Sequence, residues 1–452
     1  MVLRFRACDG RKWAGLTGEA KRRRPETHAK SFNRSKKIRG VHYDAGEPVI
    51  STVTSFGRDA RMAKTTESIR RRRLDSLDTL RGLCMVPLLG GQQIVHAAAA
   101  GAAPGSWLAA IDHQFTHVKW EGLRLYDLIF PLFLFLMGVA IPIAVTRRIA
   151  DGYSRWAILA QPIIRTGLMV FLGWCVHGRL LTWDPAQMRL GYSVLMMLGF
   201  AYLVSITLVL YAPLRVQIGV CVALLVGYWI VQHFVPFPGK VWGEFAPNRL
   251  FSDWVYDQLV GQPGPPWGSP WASGWFIWLW PMISQCLLGV FAGYIIRPDC
   301  RIARGNLKQL LQPPNRRLIC ERLCLFGAGC LVAGGLWSLH HPIVKNAWTS
   351  SFALVTSGGA AILLAGSYAL IDWREIKRGT NVLRAIGSNS ILAYLIATLF
   401  MGPFWSLETT LFGGAKAYLS PWWYGLLSTF IAYGAAWLVL IHLHRQMVFL
   451  RL

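Results

Sequence analysis

The chain has 452 residues, of which 54% are hydrophobic and 15% charged, with 21 Trp, 14 Tyr and a formal net charge of +25 at pH 7. A mean hydropathy of +0.37 over that length excludes an ordinary soluble domain, and so many Trp and Tyr suit a chain with many membrane interfaces. Walker-type and G-x-G-x-x-G loops are absent, and no nucleic-acid motif accompanies the basic charge, so no nucleic-acid partner is expected.

Residues 1–73 differ from the rest. They contain RKWAGLTGEAKRRRPETHAKSFNRSKKIRG and end in SIRRRR, cation-rich and without an apolar period, the composition of a disordered basic tail. Two readings stand for it: attraction to anionic lipid heads, worth about 1 kcal/mol per cation near the surface, or a reading frame opened too early, with Met62 as the true start. No secretory signal is expected, since no short apolar run and cleavage site follow a charged region.

From residue 74 onward, apolar stretches near the ~20 residues that cross a bilayer recur about ten times. They fall at 79–100, 127–146, 158–177, 190–211, 216–235, 276–296, 320–339, 353–372, 388–407 and 422–443. The expected fold is all-α, a polytopic membrane protein with about ten transmembrane helices. Arg165 interrupts the third stretch, and Pro162, Gly167 and Gly173 weaken it. Alternate loops are basic: Arg147, Arg148 and Arg155, then Arg215, then 297–322, then 374–384, then Arg445 and Arg451. The positive-inside rule places these loops and both termini in the cytoplasm, in a cell inner membrane, and the loop carrying His117 on the other side.

Polar groups beside or inside spans are expensive and mark where function lies. LDSLDTLRGL opens the first span, with Asp78 and Arg81 three residues apart on one helix face; a local salt bridge and a catalytic role are both open. GGQQIVHA, residues 90–97, puts Gln92, Gln93 and His96 at depth, either as interhelical hydrogen bonding or as an amide aligning a reacting carbonyl. FTHVKWEGLRLYDLIFPLFLFLMG, residues 115–138, carries His117, Trp120, Glu121 and Asp127. His117 is a loop histidine or a general base, and Asp127 orients that ring or caps the second span. HHPIVKNAWTSSF supplies Lys345, Asn346, Trp348 and Thr349, and AIGSNSILAYL puts Asn389 inside a span as structural glue or a ligand contact. Nine scattered cysteines show no C-x-x-C or Cys/His spacing, so no metal site is expected.

Taken together in order, LDSLDTLRGL, GGQQIVHA, HVKWEGLRLYDLIFPLFLFLMGVAIP, KNAWTSSF, IGSNSILAYL and HRQMVFLRL resemble the transmembrane N-acetyltransferases related to heparan-α-glucosaminide N-acetyltransferase and their bacterial homologues, from about residue 74 to the C-terminus. The resemblance implies acetyl transfer from cytoplasmic acetyl-CoA, as co-substrate, to an amino sugar or similar acceptor on the far side. It implies His117 as the catalytic histidine, helped by Gln92 and Asp127. Asp78, Arg81, Arg147 and Arg148 are the candidates for coenzyme A; Trp120, Glu121, Lys345, Trp348 and Asn389 are those for the acceptor. Membrane lipid and a glycan acceptor are the expected partners, with a homodimer as one option.

Departures accompany the matches. Met196 and Met197 stand where the family carries Gln and Arg, WASGWFIWLWP lacks the acid of a D-P-E-G, and Val344 replaces an Asn. An inactive scaffold that binds or carries a sugar or lipid is therefore the alternative. A secondary transporter ranks last, for want of an inverted repeat.

Overall fold

The computed structural model describes residues 74–178, 180–184, 193–240, 242, 245–247, 249–260, 275–298, 300 and 315–450. The basic segment 1–73, residues 261–274 and residues 301–314 lie outside the described residues.

In chain order the α-helices are α1 (Asp75–Val86), α2 (Gln92–Ala99), α3 (Trp107–Gln114), α4 (Ile129–Ala150), α5 (Arg155–His177), α6 (Val194–Tyr211), α7 (Leu214–Phe234), α8 (Phe251–Val260), α9 (Trp275–Ile296) and α10 (Arg316–Trp337). They continue with α11 (Ser350–Ser367), α12 (Thr380–Ser388), α13 (Ser390–Leu399), α14 (Met401–Phe412) and α15 (Pro421–Arg445). Polar residues set the starts. Ser154, Ser193, Asn315, Thr349 and Ser420 each accept a hydrogen bond from a backbone N–H in the first turn of α5, α6, α10, α11 and α15.

The fold is the expected all-α membrane architecture, but the count differs from ten. Among the described residues, eight stretches are long and apolar enough to cross a membrane: those of α4, α5, α6, α7, α9, α10, α11 and α15. The pair α12–α13, bent by 78°, makes nine if taken as one span. The expected first span is broken between α1 and α2, because Gly90 sits at φ +102°, in the region that Cβ-bearing residues avoid, with the Tyr433 ring packed where a Cβ would lie. The expected ninth span turns at Asn389, where φ −120° and ψ 35° interrupt the helix.

Glycines let selected helices touch backbone to backbone. A methyl on Gly138 of α4 would overlap the Cys286 carbonyl of α9, and one on Gly289 would overlap that of Phe135. Gly82 of α1 and Gly387 of α12 stand in the same relation to the Leu383 and Asp78 carbonyls. Such contacts replace the hydrophobic drive that lipid does not supply between helices.

Ion pairs gather the basic segments at one end of the bundle. Asp372 accepts from the first backbone N–H groups of α1, Asp75 at 3.1 Å and Ser76 at 3.2 Å. Asp75 in turn pairs with Arg384 at 2.9 Å and Lys377 at 3.2 Å. The loops carrying His117 and Lys345 lie together elsewhere, joined by the Gly122 N–H donating to the Ile343 carbonyl at 2.9 Å and by the Glu121–Val344 bridge.

Candidate active site

Residues 115–128 approach α4 as a loop and one 3-10 turn, Leu125–Leu128. Asp127 in that turn is wholly buried and performs both roles open to it from the sequence. Its Oδ2 accepts from the Arg124 and Val118 backbone N–H groups, each at 3.3 Å, which caps the turn. Its Oδ1 lies 2.7 Å from His117 Nδ1 and 2.9 Å from Lys345 Nζ. The side chain of His117 is 54% exposed, with its ring 4.7 Å from that of Tyr126.

Lys345 Nζ also lies 2.8 Å from His117 Nδ1. One ring nitrogen cannot donate to Asp127 and accept from Lys345 at once. A carboxylate only accepts, so we assign the proton to Nδ1, shared with Asp127, and let Lys345 donate to the carboxylate. That leaves Nε2 as the unprotonated nitrogen of an exposed ring, with Lys345 Nζ 3.4 Å from it. Burial depresses the Lys345 ammonium, and Asp127 partly restores it.

The surrounding loops are fixed by polar ties. Arg124 Nη1 donates to the His117 carbonyl at 3.0 Å and also to Thr116 Oγ1. Asn346 Nδ2 donates to the Lys119 carbonyl at 3.2 Å. Gln92 Nε2 donates to the Phe115 carbonyl at 2.9 Å, two residues before His117. His117, Asp127, Lys345 and Gln92 are thus brought into one assembly. Glu121 is exposed beside it on the bridge to Val344.

Other expected site residues spend their polar atoms on the protein. Trp120 Nε1 donates to the Phe245 carbonyl at 2.8 Å, and buried Trp348 donates to Gln285 Oε1 at 3.1 Å while packing on Phe130. Asn389 donates to the Val448 carbonyl at 3.0 Å and accepts from Leu450 N at 3.1 Å, which makes it a clasp on the segment after α15. Arg148 donates to Gln161, and neither it nor Arg147 is among the residues that line the cavity described next.

A cavity of about 460 Å³ lies between α1, α4, α5, α6, α12 and α13. Its lining follows α4 from Ile129, two residues after Asp127, to Ala144. Those sixteen residues of helix extend about 22 Å from first to last Cα, most of a ~30 Å hydrocarbon layer. Asp78 and Arg81 line it, 3.7 Å apart as the sequence allowed. So do Arg165, Tyr202 and Tyr394, which the sequence reading did not place in a site. An arginine inside an apolar span was the signal available for the first of these. Met196 and Met197 are buried in the core.

The family described as a domain of unknown function, DUF5009, matches residues 73–240. The human protein named heparan-alpha-glucosaminide N-acetyltransferase is 22% identical over 435 residues, 84% of this chain and 61% of the human one. The mouse protein of the same name is 29% identical over 375 residues, 72% of this chain and 53% of the mouse one. The chain is similar to these proteins over most of its own length. It spans a little over half the length of the curated relatives it matches. The resemblance read from the collinear motifs is borne out.

Proposed function

We propose that the protein is a membrane acyltransferase that moves an acetyl group from acetyl-CoA to an amino sugar or similar acceptor, with His117 as the general base. The observation that carries this reading is the His117–Asp127 pair: an exposed imidazole whose far nitrogen is held by a fully buried, four-partnered carboxylate. Such an arrangement fixes the tautomer and offers Nε2 to a proton that an attacking amine must lose.

The cavity fits the donor. Its apolar walls suit a pantetheine arm, its guanidinium groups suit phosphate oxygens, and its α4 side runs to within two residues of Asp127. Bound there, the thioester supplies an activated carbonyl and a thiol leaving group. Arg81 and Arg165 would hold its anionic part, and His117 would meet the acceptor beyond Ile129. Gln92, anchored at Phe115, would orient a polar group of acceptor or donor beside the base. In this reading the basic end of the bundle is cytoplasmic and the His117 loops face the opposite compartment, so the donor enters from one side and the acceptor from the other.

The test is acetyl transfer by the purified protein in nanodiscs, with glucosamine and a mixed amino-sugar pool as acceptors, wild type beside His117→Ala. Turnover that falls by about 10²- to 10⁴-fold in the variant is the expected result. Equal turnover in both proteins defeats the assignment of the base.

The second reading is a binding or carrier protein on the same scaffold, favoured by the burial of Met196 and Met197 where the resemblance places a Gln–Arg pair. It predicts acceptor binding without acetyl-CoA turnover.

A further inference from the structure

Beyond Arg445 the chain leaves α15 through Met447, whose φ of +57° lies in the left-handed region that residues with a Cβ avoid. That turn sends residues 448–450 back to the break between α12 and α13. The Val448 N–H donates to the Leu443 carbonyl at 2.9 Å. Both poles of the buried Asn389 amide are spent on the segment, Nδ2 on the Val448 carbonyl and Oδ1 on the Leu450 N–H. Next to Asn389, Ser388 Oγ lies 2.9 Å from His444 Nδ1, and the His444 ring meets that of Phe449 at 5.7 Å. The segment reaches the cavity, where Leu450 is part of the lining. Gly387 and Ser388 of α12 line it too, as does Asp78 of α1, whose carbonyl would overlap a Cβ on Gly387. Asp78 is one helical turn from Asp75, which pairs with Lys377 and Arg384, so this stretch of lining is the end of the cavity nearest those ion pairs.

We infer that residues 446–450 form a strap that closes the chamber at its basic end and swings away to admit a ligand. Three features make this segment a closure rather than a fixed wall. The helices α1 and α12 beside it touch backbone to backbone, whereas the strap is held to them by the Asn389 amide and the His444–Ser388 contact. Its turn at Met447 is strained, and release relaxes it. Residues 445–447 are exposed and 448–450 only half-buried, so undocking uncovers little apolar surface and is a local event. The identity of the traffic, a coenzyme A thioester entering from the basic side, rests on the acyltransferase reading. The closure itself does not.

Access to the chamber, not turnover, tests the inference. A thiol is placed on the α4 wall by Met137→Cys, and its alkylation by iodoacetamide in detergent is followed by mass spectrometry of that one peptide. Two changes release the strap, Asn389→Ala and, in a separate chain, deletion of residues 447–452. Each is expected to speed alkylation by about tenfold or more, and Leu450→Ala, which keeps the clasp and shortens the stopper, by about threefold. Cys286, wholly buried in α9, must stay unlabelled. Where Asn389→Ala labels it as well, that variant has loosened throughout, and the deletion and Leu450→Ala decide. Equal alkylation in intact and released proteins overturns the inference. Association and dissociation of coenzyme A are then measured on the same set. Both rates should rise together, with Kd changed by less than about threefold. A Kd weakened about tenfold at an unchanged association rate would make the segment a binding wall and overturn the closure. If alkylation responds but even wild type does not bind coenzyme A, the strap stands and the acetyl-CoA reading falls.

Discussion

Two histidine–aspartate pairs among the described residues are built differently. In both, Nδ1 of the ring meets Oδ1 of the carboxylate. In the His117–Asp127 pair the carboxylate is 0% exposed and is further held by two backbone N–H groups and Lys345. In the His96–Asp112 pair, which ties α2 to α3, the side chains are 37% and 29% exposed, and no further hydrogen bond to Asp112 Oδ1 or Oδ2 is seen among the described residues. The same two residue types give a preorganised base in one place and a solvated strut in the other. What separates them is the number of donors that immobilise the acid and the water kept from it.

The largest expected effect sharpens that contrast. His117→Ala removes the base, whereas His96→Ala removes a strut, so transfer falls by about 10²- to 10⁴-fold in the first and by less than about threefold in the second. Parallel assays with one acceptor check this, and comparable losses would erase the distinction. Next in size is the acid. Asp127→Asn keeps the shape but presents an amide that can hold the wrong tautomer, and kcat is expected to drop by about 10²-fold with KM nearly unchanged. Asp112→Asn should again move little.

Lys345 offers a subtler break. Its ammonium donates to Asp127 Oδ1 and so helps to hold the carboxylate that orients the ring. Lys345→Met is therefore expected to lower kcat by about tenfold with KM nearly unchanged, while Lys345→Arg recovers part of the loss. An unchanged kcat in Lys345→Met would reduce Lys345 to a structural tie.

The smallest effect concerns stability. Asp253 in α8 is pushed up from 3.8 to about 7, chiefly by burial, with Asp257 adding to it and the Leu250 N–H opposing. Between about pH 4 and pH 7 the unfolded chain gives up this proton and the folded chain keeps it, so stability falls as pH rises and levels off above that window. Thermal unfolding in detergent across the window should show the decline, and Asp253→Asn should flatten it.

Much of this was legible in the sequence. Span positions followed from apolar length, and the His117 segment announced itself by placing titratable groups before an apolar run. What the sequence could not supply were partners distant in the chain. Asn389 reads as a polar residue in a span, but its amide serves Val448 and Leu450, about sixty residues on. The helix break at Gly90 was hidden because Leu88–Leu89 and Ile94–Val95 on either side keep the stretch apolar, and length alone does not register φ. Arg165 counted against a span, when the cavity beside it is the reason a span can contain it.

The glycine contacts have a mechanical consequence. Gly138 and Gly289 zip α4 to α9, and Gly82 and Gly387 zip α1 to α12. The cavity lies between these two zipped pairs, with α4 on one side and α1 and α12 on the other. Within either pair no methyl-sized slack is left to take up strain. Any widening or narrowing of the chamber therefore has to carry each pair along as a single beam, so the gauge of the opening is set by how the beams are spaced.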